Sequence, residues 1–273
     1  MNLNKTEYDP KLNSYEVVIA GGAMIGTAIA WFLVSNKDFN GKILVVEKDP
    51  TLEFSSTSRT NNSIRQQFSN KLNIEISKFS SNYILNFKSY MENDERIPEI
   101  VFNKIGYLYL ADDKKKFKLL KKNQKLQNSL NIPTKIYDQN SLLEKFPYLN
   151  VKNLIGGSYN NYNEGYFDSN TIFSWWKKKA AEKGVEFIKN EVTEIALGSK
   201  KISAITLKDG SKLKIGSFVN ATGTKASTFD KTHFLRIPVE PRKRYTFIFK
   251  TEAKINNSVP LIIDPTGIHF RSD

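Results

Sequence analysis

Tyr15-Glu-Val-Val-Ile-Ala-Gly21-Gly22-Ala23-Met24-Ile25-Gly26, running on into Thr27-Ala-Ile-Ala-Trp-Phe-Leu33, is the stretch on which the fold turns. Val17, Val18 and Ile19 form a β-branched apolar run of the kind found in a strand buried on both faces. The run breaks at the glycine pair, and apolar residues then recur at Ile25, Ile29, Phe32 and Leu33, a helical spacing. Strand, glycine turn and helix are the context in which G-x-G-x-x-G signals a dinucleotide site. Gly21 supplies the tight turn, Gly26 the close helix–strand contact, and free amides at the helix N-terminus receive a pyrophosphate. The middle glycine is Ala23 here, one methyl group in the path of that pyrophosphate.

A second strand, Lys42-Ile-Leu-Val-Val46, ends on Glu47, about 20 residues after the turn. A carboxylate there accepts hydrogen bonds from an adenosine ribose and repels a 2′-phosphate, which disfavours NADP. The competing reading of the same pattern is an ordinary βαβ crossover that holds no ligand.

A chain of 273 residues makes one large or two modest domains. No window approaches eighteen uninterrupted apolar residues, so no transmembrane helix is expected. The polar stretch Met1 to Pro10 lacks the apolar core of a secretory signal, which makes the cytoplasm the expected compartment. Cysteine is absent, which excludes disulfides, thiolate metal sites, cysteine nucleophiles and a cofactor tethered through a thioether. With His233 and His269 the only histidines, a histidine-rich metal site is not expected either. The net charge of +13 raises nucleic acid as a partner. Against that, Lys114–Lys116, Lys118, Lys121, Lys122 and Lys125 flank Phe117, Leu120 and Leu126, which reads as a solvated helix face opposite a buried stripe. Lysine also dominates where arginine would serve base or bidentate phosphate recognition. The charge therefore implies attraction of acidic small molecules rather than a specific nucleic-acid partner.

After Glu47, residues 51–68 concentrate hydroxyls, amides and arginine without strand or helix periodicity. A loop of this length in a compact domain points to function, and it follows the strand that closes the crevice. Apolar positions at 72, 76, 79, 83 and 87 predict a helix ending near Met91, with Pro98 marking a break. Ile105 to Leu110 reads as a strand, the lysine-rich helix runs to about Leu130, Ile136-Tyr137 is a further strand, and a short helix closes at Pro147. This block, roughly 90 to 150, departs from βαβ alternation and reads as an inserted domain. Alternation resumes with Asp168 as the N-cap of a helix carrying Ile172, Phe173, Trp176 and Ala180, stopped by Gly184. A strand from Val185 to Ile188 continues through Glu191-Val192, and Ile202 to Ile215 forms a hairpin about Asp209-Gly210. An apolar strand follows at Phe218-Val-Asn-Ala-Thr-Gly223. Alternation at Tyr245 to Phe249, Leu261 to Ile263 and Ile268 to Phe270 predicts three more strands.

Taken in order, these pieces resemble the FAD-dependent amine and amino-acid oxidoreductases of the D-amino-acid oxidase/sarcosine oxidase superfamily. The nearest branch resembles the FAD-dependent oxidoreductase domain-containing proteins linked to respiratory-complex assembly. The likeness extends from Tyr15 through the chain. It is carried by the glycine turn, Val45-Val-Glu47-Lys48, Ser56-Thr57-Ser58, Ile64-Arg65-Gln-Gln67-Phe68 and Gly106-Tyr-Leu-Tyr-Leu110. It continues at Glu164-Gly-Tyr-Phe-Asp168, Val219-Asn-Ala-Thr-Gly223, Val239-Glu-Pro-Arg-Lys-Arg244 and Ile263-Asp-Pro-Thr-Gly267.

The resemblance implies an α/β fold. Residues 14–88 and 150–230 would form an FAD-binding Rossmann-type, glutathione-reductase-like parallel sheet with a β-meander crossover. Residues 89–149 and 231–273 would form an inserted α+β substrate domain with a mostly antiparallel sheet, and residues 1–13 a loosely packed or disordered start. It places Gly21, Gly22, Ala23, Met24, Ile25 and Gly26 at the pyrophosphate, Glu47 and Lys48 at the ribose side, and Ser56, Thr57 and Ser58 along the cofactor. Val192 would meet the adenine edge, and Ala221, Thr222 and Gly223 would pass the phosphates. Arg65 would fork onto a substrate carboxylate, with Gln67, Arg244 and Tyr245 as further substrate contacts. His269 reads as structural, and His233 carries no signal. Asn61-Asn62 stand where relatives often have small glycines, so the loop there is expected to differ.

The activity implied is oxidation of the C–N bond of a small amino acid or N-methylated glycine by hydride transfer to flavin N5, with oxygen or a protein as electron acceptor. The alternatives are a flavin-binding assembly or scaffold protein with little turnover, and an inactive remnant, because relatives are expected to continue past Asp273 and the chain reads as C-terminally truncated.

Overall fold

The computed structural model describes residues 8–198, 201–232, 238–252 and 259–272. The chain divides into two compact units, Met1–Thr60 with Asn170–Thr246, and Asn61–Ser169 with Phe247–Asp273. These divisions differ from the expected 88/89, 149/150 and 230/231, because the polar loop's second half and the helix after it are tied to the second unit. Lys78 Nζ donates to the Leu130 carbonyl at 2.8 Å, and Gln127 Nε2 to the Phe68 carbonyl at 3.0 Å.

The first crossover consists of β1 (Ser14–Ala20), α1 (Met24–Ser35) and β2 (Ile43–Glu47). The strands run parallel, with Val17 level with Ile43 and Ala20 with Val46. Next come β3 (Ser63–Ile64), α2 (Lys71–Leu85), α3 (Phe87–Tyr90), β4 (Phe102–Asn103), β5 (Tyr107–Ala111) and α4 (Lys114–Ser129). β6 (Lys135–Asp138), α5 (Gln139–Lys145), β7 (Gly156–Asn160) and β8 (Gly165–Phe167) follow. The chain returns through α6 (Ser169–Glu182), β9 (Glu186–Lys189), β10 (Val192–Leu197), β11 (Ile202–Leu207) and β12 (Lys212–Asn220) to a 3₁₀ segment, Gly223–Thr232. It ends in β13 (Leu261–Ile263) and β14 (His269–Phe270).

In the first unit the sheet order is β10-β11-β12-β1-β2-β9. β9, β2, β1 and β12 are parallel, and β10, β11 and β12 form the antiparallel meander. Asn190-Glu191 alone connect β9 to β10, at opposite edges of this order. Five strand spacings would span about 24 Å of flat sheet, while three Cα steps reach at most about 11 Å. The meander must therefore curl back over the parallel strands. The core agrees: Ile195, Ile205 and Leu207 pack in one buried cluster with Val18, Leu44 and Ile188. Glu191-Val192 thus open a new strand instead of extending β9, and the hairpin strand and the strand at Phe218 are one element, β12. Residues 8–13 dock on this unit, with Lys11 N–H donating to Glu186 Oε1 at 2.7 Å and Leu12 N–H to the Tyr15 hydroxyl at 3.1 Å. The earlier part of the expected loose N-terminus lies outside the described residues.

The second unit carries a five-stranded sheet, β14-β13-β5-β7-β6, and a three-stranded one, β3-β8-β4. Pairing is antiparallel throughout except between β13 and β5. Its helices start where short polar side chains satisfy the open amides: Asn70, Asp113 and Asp138 accept from the N–H groups of Asn73, Lys116 and Ser141. The helix predicted from 72 to 91 is interrupted at Asn86, whose φ of −114° is not helical. The lysines of α4 are exposed and its Phe117, Leu120 and Leu126 half-buried. The predicted strand at Tyr245 to Phe249 is absent: residues 238–252 pair with no sheet, and Tyr245, Phe247, Ile248 and Phe249 stand 71–96% exposed. Alternation alone does not make a strand without a partner edge. Among the described residues no helix is long and apolar enough to cross a membrane.

The close approach at Gly26 gives a direct check. A Cβ there would collide with the Gly21 carbonyl oxygen, a backbone atom that cannot step aside. Gly26→Ala is expected to cost about 1–3 kcal/mol, read as a lowered urea midpoint.

Candidate functional site

The C-terminal ends of β1, β2 and β12 open onto a crevice of about 500 Å³ in the first unit. Ligands of open α/β sheets bind in this position. Gly21 takes φ +100°, and a Cβ on it would strike the Ala221 carbonyl oxygen, so the first turn and the end of β12 meet backbone to backbone. Asn220 shapes the turn on the far side: its Oδ1 accepts from the Thr222 hydroxyl at 2.7 Å and its Nδ2 donates to the Ala226 carbonyl at 2.9 Å. Ala23 sits at the N-cap of α1 with ordinary extended torsions, so its methyl group requires no strain. α1 has no side-chain cap at Ala23 and no acidic residue in its first turn. Its positive end therefore faces the crevice without a carboxylate of its own.

Glu47 lies on the crevice wall with both oxygens placed. Oε2 accepts from the Gly22 N–H at 2.8 Å and Oε1 from the Asp49 N–H at 2.8 Å. A carboxylate offers about four lone-pair directions, so each oxygen keeps one for a hydroxyl donor. Lys177 of α6, more than half buried, lies in the field of Glu47: burial lowers its pKa, and the carboxylate opposes that shift.

Gly21, Ala23, Ile25, Glu47, Lys48, Ser56, Thr57, Val192, Ala221, Thr222 and Gly223 line the crevice, as their positions in the sequence suggest. Four other expected contacts do not. Gly22 spends its amide on Glu47, Met24 donates its N–H to the Thr57 hydroxyl at 3.2 Å, and Gly26 is packed against the Gly21 carbonyl. Ser58 turns its hydroxyl inward to the carbonyls of Leu52, Glu53 and Ser55, bracing the loop. The sequence reading missed the apolar walls Leu52 and Phe229, 9% and 8% exposed, and the exposed Phe54. Phe229 is the lone aromatic in a polar stretch and meets Phe218 edge-on at 5.4 Å. That isolation was its signal, whereas Leu52, held at φ +58° by the turn, has none.

In the second unit a separate open cavity of about 470 Å³ is lined by Ser63, Arg65, Phe68, Asn73, Ser77 and Tyr107 among others. The Arg65 guanidinium stands 4.8 Å from the Phe68 ring centre and 5.9 Å from that of Tyr109, and its buried Nε has no hydrogen-bond partner. A planar, partly desolvated cation with an unfilled donor suits a carboxylate. Burial raises the phenols of Tyr107 and Tyr109 above their ordinary value, with Arg65 pulling the other way.

Gln67 is not available as a substrate contact. Its Nε2 donates to the Tyr107 carbonyl at 2.9 Å and to Glu164 Oε2 at 3.0 Å, and its Oε1 accepts from the Ser158 hydroxyl at 3.0 Å. Arg244 and Tyr245 lie exposed in segment 238–252, which joins no sheet, and line neither cavity, because the strand expected to carry them does not form. His269 is on the exposed strand β14, and His233 lies outside the described residues. Asn62 takes φ +51°, a left-handed position that asparagine tolerates where a glycine would be free. Glu164, quoted in the sequence without a role, is wholly buried, and burial pushes its carboxyl up to about 7 against hydrogen bonds that pull it down.

A family model described as "FAD dependent oxidoreductase" matches residues 16–273. The chain is 30% identical over 291 aligned positions to FAD-dependent oxidoreductase domain-containing protein 1 of Xenopus laevis, covering 94% of this chain and 58% of that protein. The Bos taurus protein of the same name is also 30% identical, with 94% and 60% covered. The chain thus spans less than two thirds of the length of these relatives. Among solved structures, L-proline dehydrogenase from P. horikoshii superposes with a TM-score of 0.75 at 24% identity, covering 96% of this chain and 67% of that one. Glycine oxidase from Geobacillus kaustophilus gives 0.65 at 19% identity, covering 81% and 58%. At these identities the two structures share the fold.

The buried acid leaves a stability signature. A glutamate near 4.5 when unfolded and near 7 when folded binds its proton more tightly in the native state. The advantage is present below the unfolded value and is lost as pH rises through the folded one. This group alone should lower native stability on the order of 3 kcal/mol between about pH 4.5 and pH 7. Urea unfolding of the wild type and Glu164→Gln across that range should give a stability difference that changes by this amount.

Proposed function

The chain belongs to the FAD dependent oxidoreductase family, and on that premise we propose that it binds FAD at its first crossover and oxidises the C–N bond of a small amino acid or N-methylated glycine. The observation that carries this reading is Glu47, fixed by two amides on the crevice wall with one acceptor direction left on each oxygen. Two ribose hydroxyls match that pair of acceptors, and a 2′-phosphate would be repelled by the Glu47 carboxylate. The uncapped end of α1 and the side-chain-free meeting of Gly21 and Ala221 suit a pyrophosphate. Ser56, Thr57 and Lys48 supply polar contacts along the crevice, and Leu52, Phe229 and Val192 give apolar surface for a flat base.

When bound, FAD supplies the hydride acceptor, flavin N5. Arg65, in the second unit's cavity, would take a substrate carboxylate by two parallel hydrogen bonds. FAD held at the first crossover would accept two electrons and the α-hydrogen from an amine whose nitrogen is unprotonated, and water would hydrolyse the imine product. Phe68 and Tyr109 dry the guanidinium and strengthen its hold. Proline and glycine, for which the two solved neighbours are named, are members of this substrate class.

Adding FAD to the purified chain and removing excess by gel filtration should leave flavin absorbance with the protein. Glu47→Ala should weaken FAD binding about 10- to 100-fold, the loss of charge-assisted hydrogen bonds. Anaerobic addition of glycine, sarcosine or proline should bleach the bound flavin. Arg65→Gln should raise the amine concentration needed by at least about tenfold while FAD binding stays unchanged. A chain that remains colourless in excess FAD overturns the reading, and tight FAD that no amine bleaches replaces oxidation with a flavin-holding role.

A further inference from the structure

Behind Arg65, the segment Gln66-Gln67 is held from below by one side chain. Glu164 Oε1 accepts from the backbone N–H groups of Gln66 at 2.5 Å and Gln67 at 3.0 Å, and Oε2 from Gln67 Nε2 at 3.0 Å. The carboxylate is 0% exposed, and each of these hydrogen bonds comes from a neutral amide. A buried carboxylate held only by neutral donors keeps its field, so it acts on whatever cation the same segment carries. That cation is Arg65, one residue before the held amides.

We propose that Glu164 is a positioning residue for the Arg65 site: it fixes the Arg65–Gln67 segment through two backbone amides, and its charge sets how strongly Arg65 attracts a carboxylate ligand. The proposal rests on the reading of Arg65 as the carboxylate partner. Ionised Glu164 partly cancels the pull of the guanidinium; neutral Glu164 leaves it whole. Burial places the change of state near neutral pH. The titratable groups in the field of Glu164 are Tyr107 and Tyr109 of β5 and Tyr159 of β7, and the same Tyr107 lies in the fields of Arg65 and Arg271. Burial raises all three phenols. Glu164 is therefore the member of this group that changes charge between about pH 6 and 8.

The test uses the FAD-supplemented full chain with benzoate, which stays ionised over this range, and reads its Kd by calorimetry. In the wild type the Kd should rise by roughly threefold or more from pH 6 to pH 8. The inflection should coincide with that of the Glu164 carboxyl ¹³C resonance and of the Gln66 and Gln67 amides. Glu164→Gln keeps an acceptor for the two amides and removes the charge, so its Kd should be flat with pH and near the wild-type value at pH 6. Glu164→Ala, which removes charge and acceptor together, should bind benzoate more weakly than the Gln variant at every pH. A merely structural glutamate would leave the wild-type benzoate Kd flat with pH. A flat wild-type Kd, or a pH step that survives in Glu164→Gln, overturns the proposal. If Arg65→Gln leaves benzoate binding unchanged, the reading of Arg65 fails. The Gln66 and Gln67 amides then decide whether Glu164 holds the segment: an inflection shared with its carboxyl supports that role, and none overturns it.

Discussion

The Glu47 carboxylate reaches across the first turn to the Gly22 amide, and much of the first unit's crevice depends on that bond. β1 and β2 end side by side, and the chain leaves them in different directions, one into α1 and one into the polar loop. The Glu47 bonds to Gly22 and Asp49, both at 2.8 Å, pin the two exits to one another. They also hold open the ground in front of the α1 N-terminus. The geometry tolerates no bulk at the neighbouring positions: Gly22 would press a side chain into Glu47 Cβ, Gly21 into Ala221 and Gly26 into Gly21. The glycines serve one constraint, the packing of three backbone segments around a space that must stay empty of side chains.

That constraint explains why the sequence was so readable here. A turn that needs φ +100° at Gly21 and an acid at the end of the next strand leave local marks, and both are visible within a window of 33 residues from Tyr15 to Glu47. The meander was only half visible. Asp209-Gly210 marks its hairpin, but nothing local says that Asn190-Glu191 cross from one edge of the sheet order to the other. Strand order is a tertiary property that adjacent residues do not encode. The segment from Tyr245 to Phe249 failed for the opposite reason, since its alternation satisfies the local rule and no neighbouring strand edge meets it. Gln67 looked like a ligand contact because its type and place were right. Its amide is consumed by Tyr107, Ser158 and Glu164, partners up to 97 residues away.

Two acids of this chain, Glu47 and Glu164, show how one functional group takes two characters. Glu47 stands at an open crevice, accepts from two amides and keeps an unused acceptor direction on each oxygen for a hydroxyl ligand. Glu164 also accepts from backbone amides, yet it is sealed from water, and desolvation outweighs those bonds. At Glu164, amide donors do not outweigh the loss of water. A sequence records both residues as Glu after a short run of polar or apolar neighbours, and only the depth of burial separates them. Because Glu164 bonds to the backbone of residues that follow Arg65, its cost in stability is coupled to the placement of the one guanidinium that lines the second cavity. An alanine or leucine in its place would pack without that cost, but it would leave two amides of the segment unpaired and the arginine's support undefined.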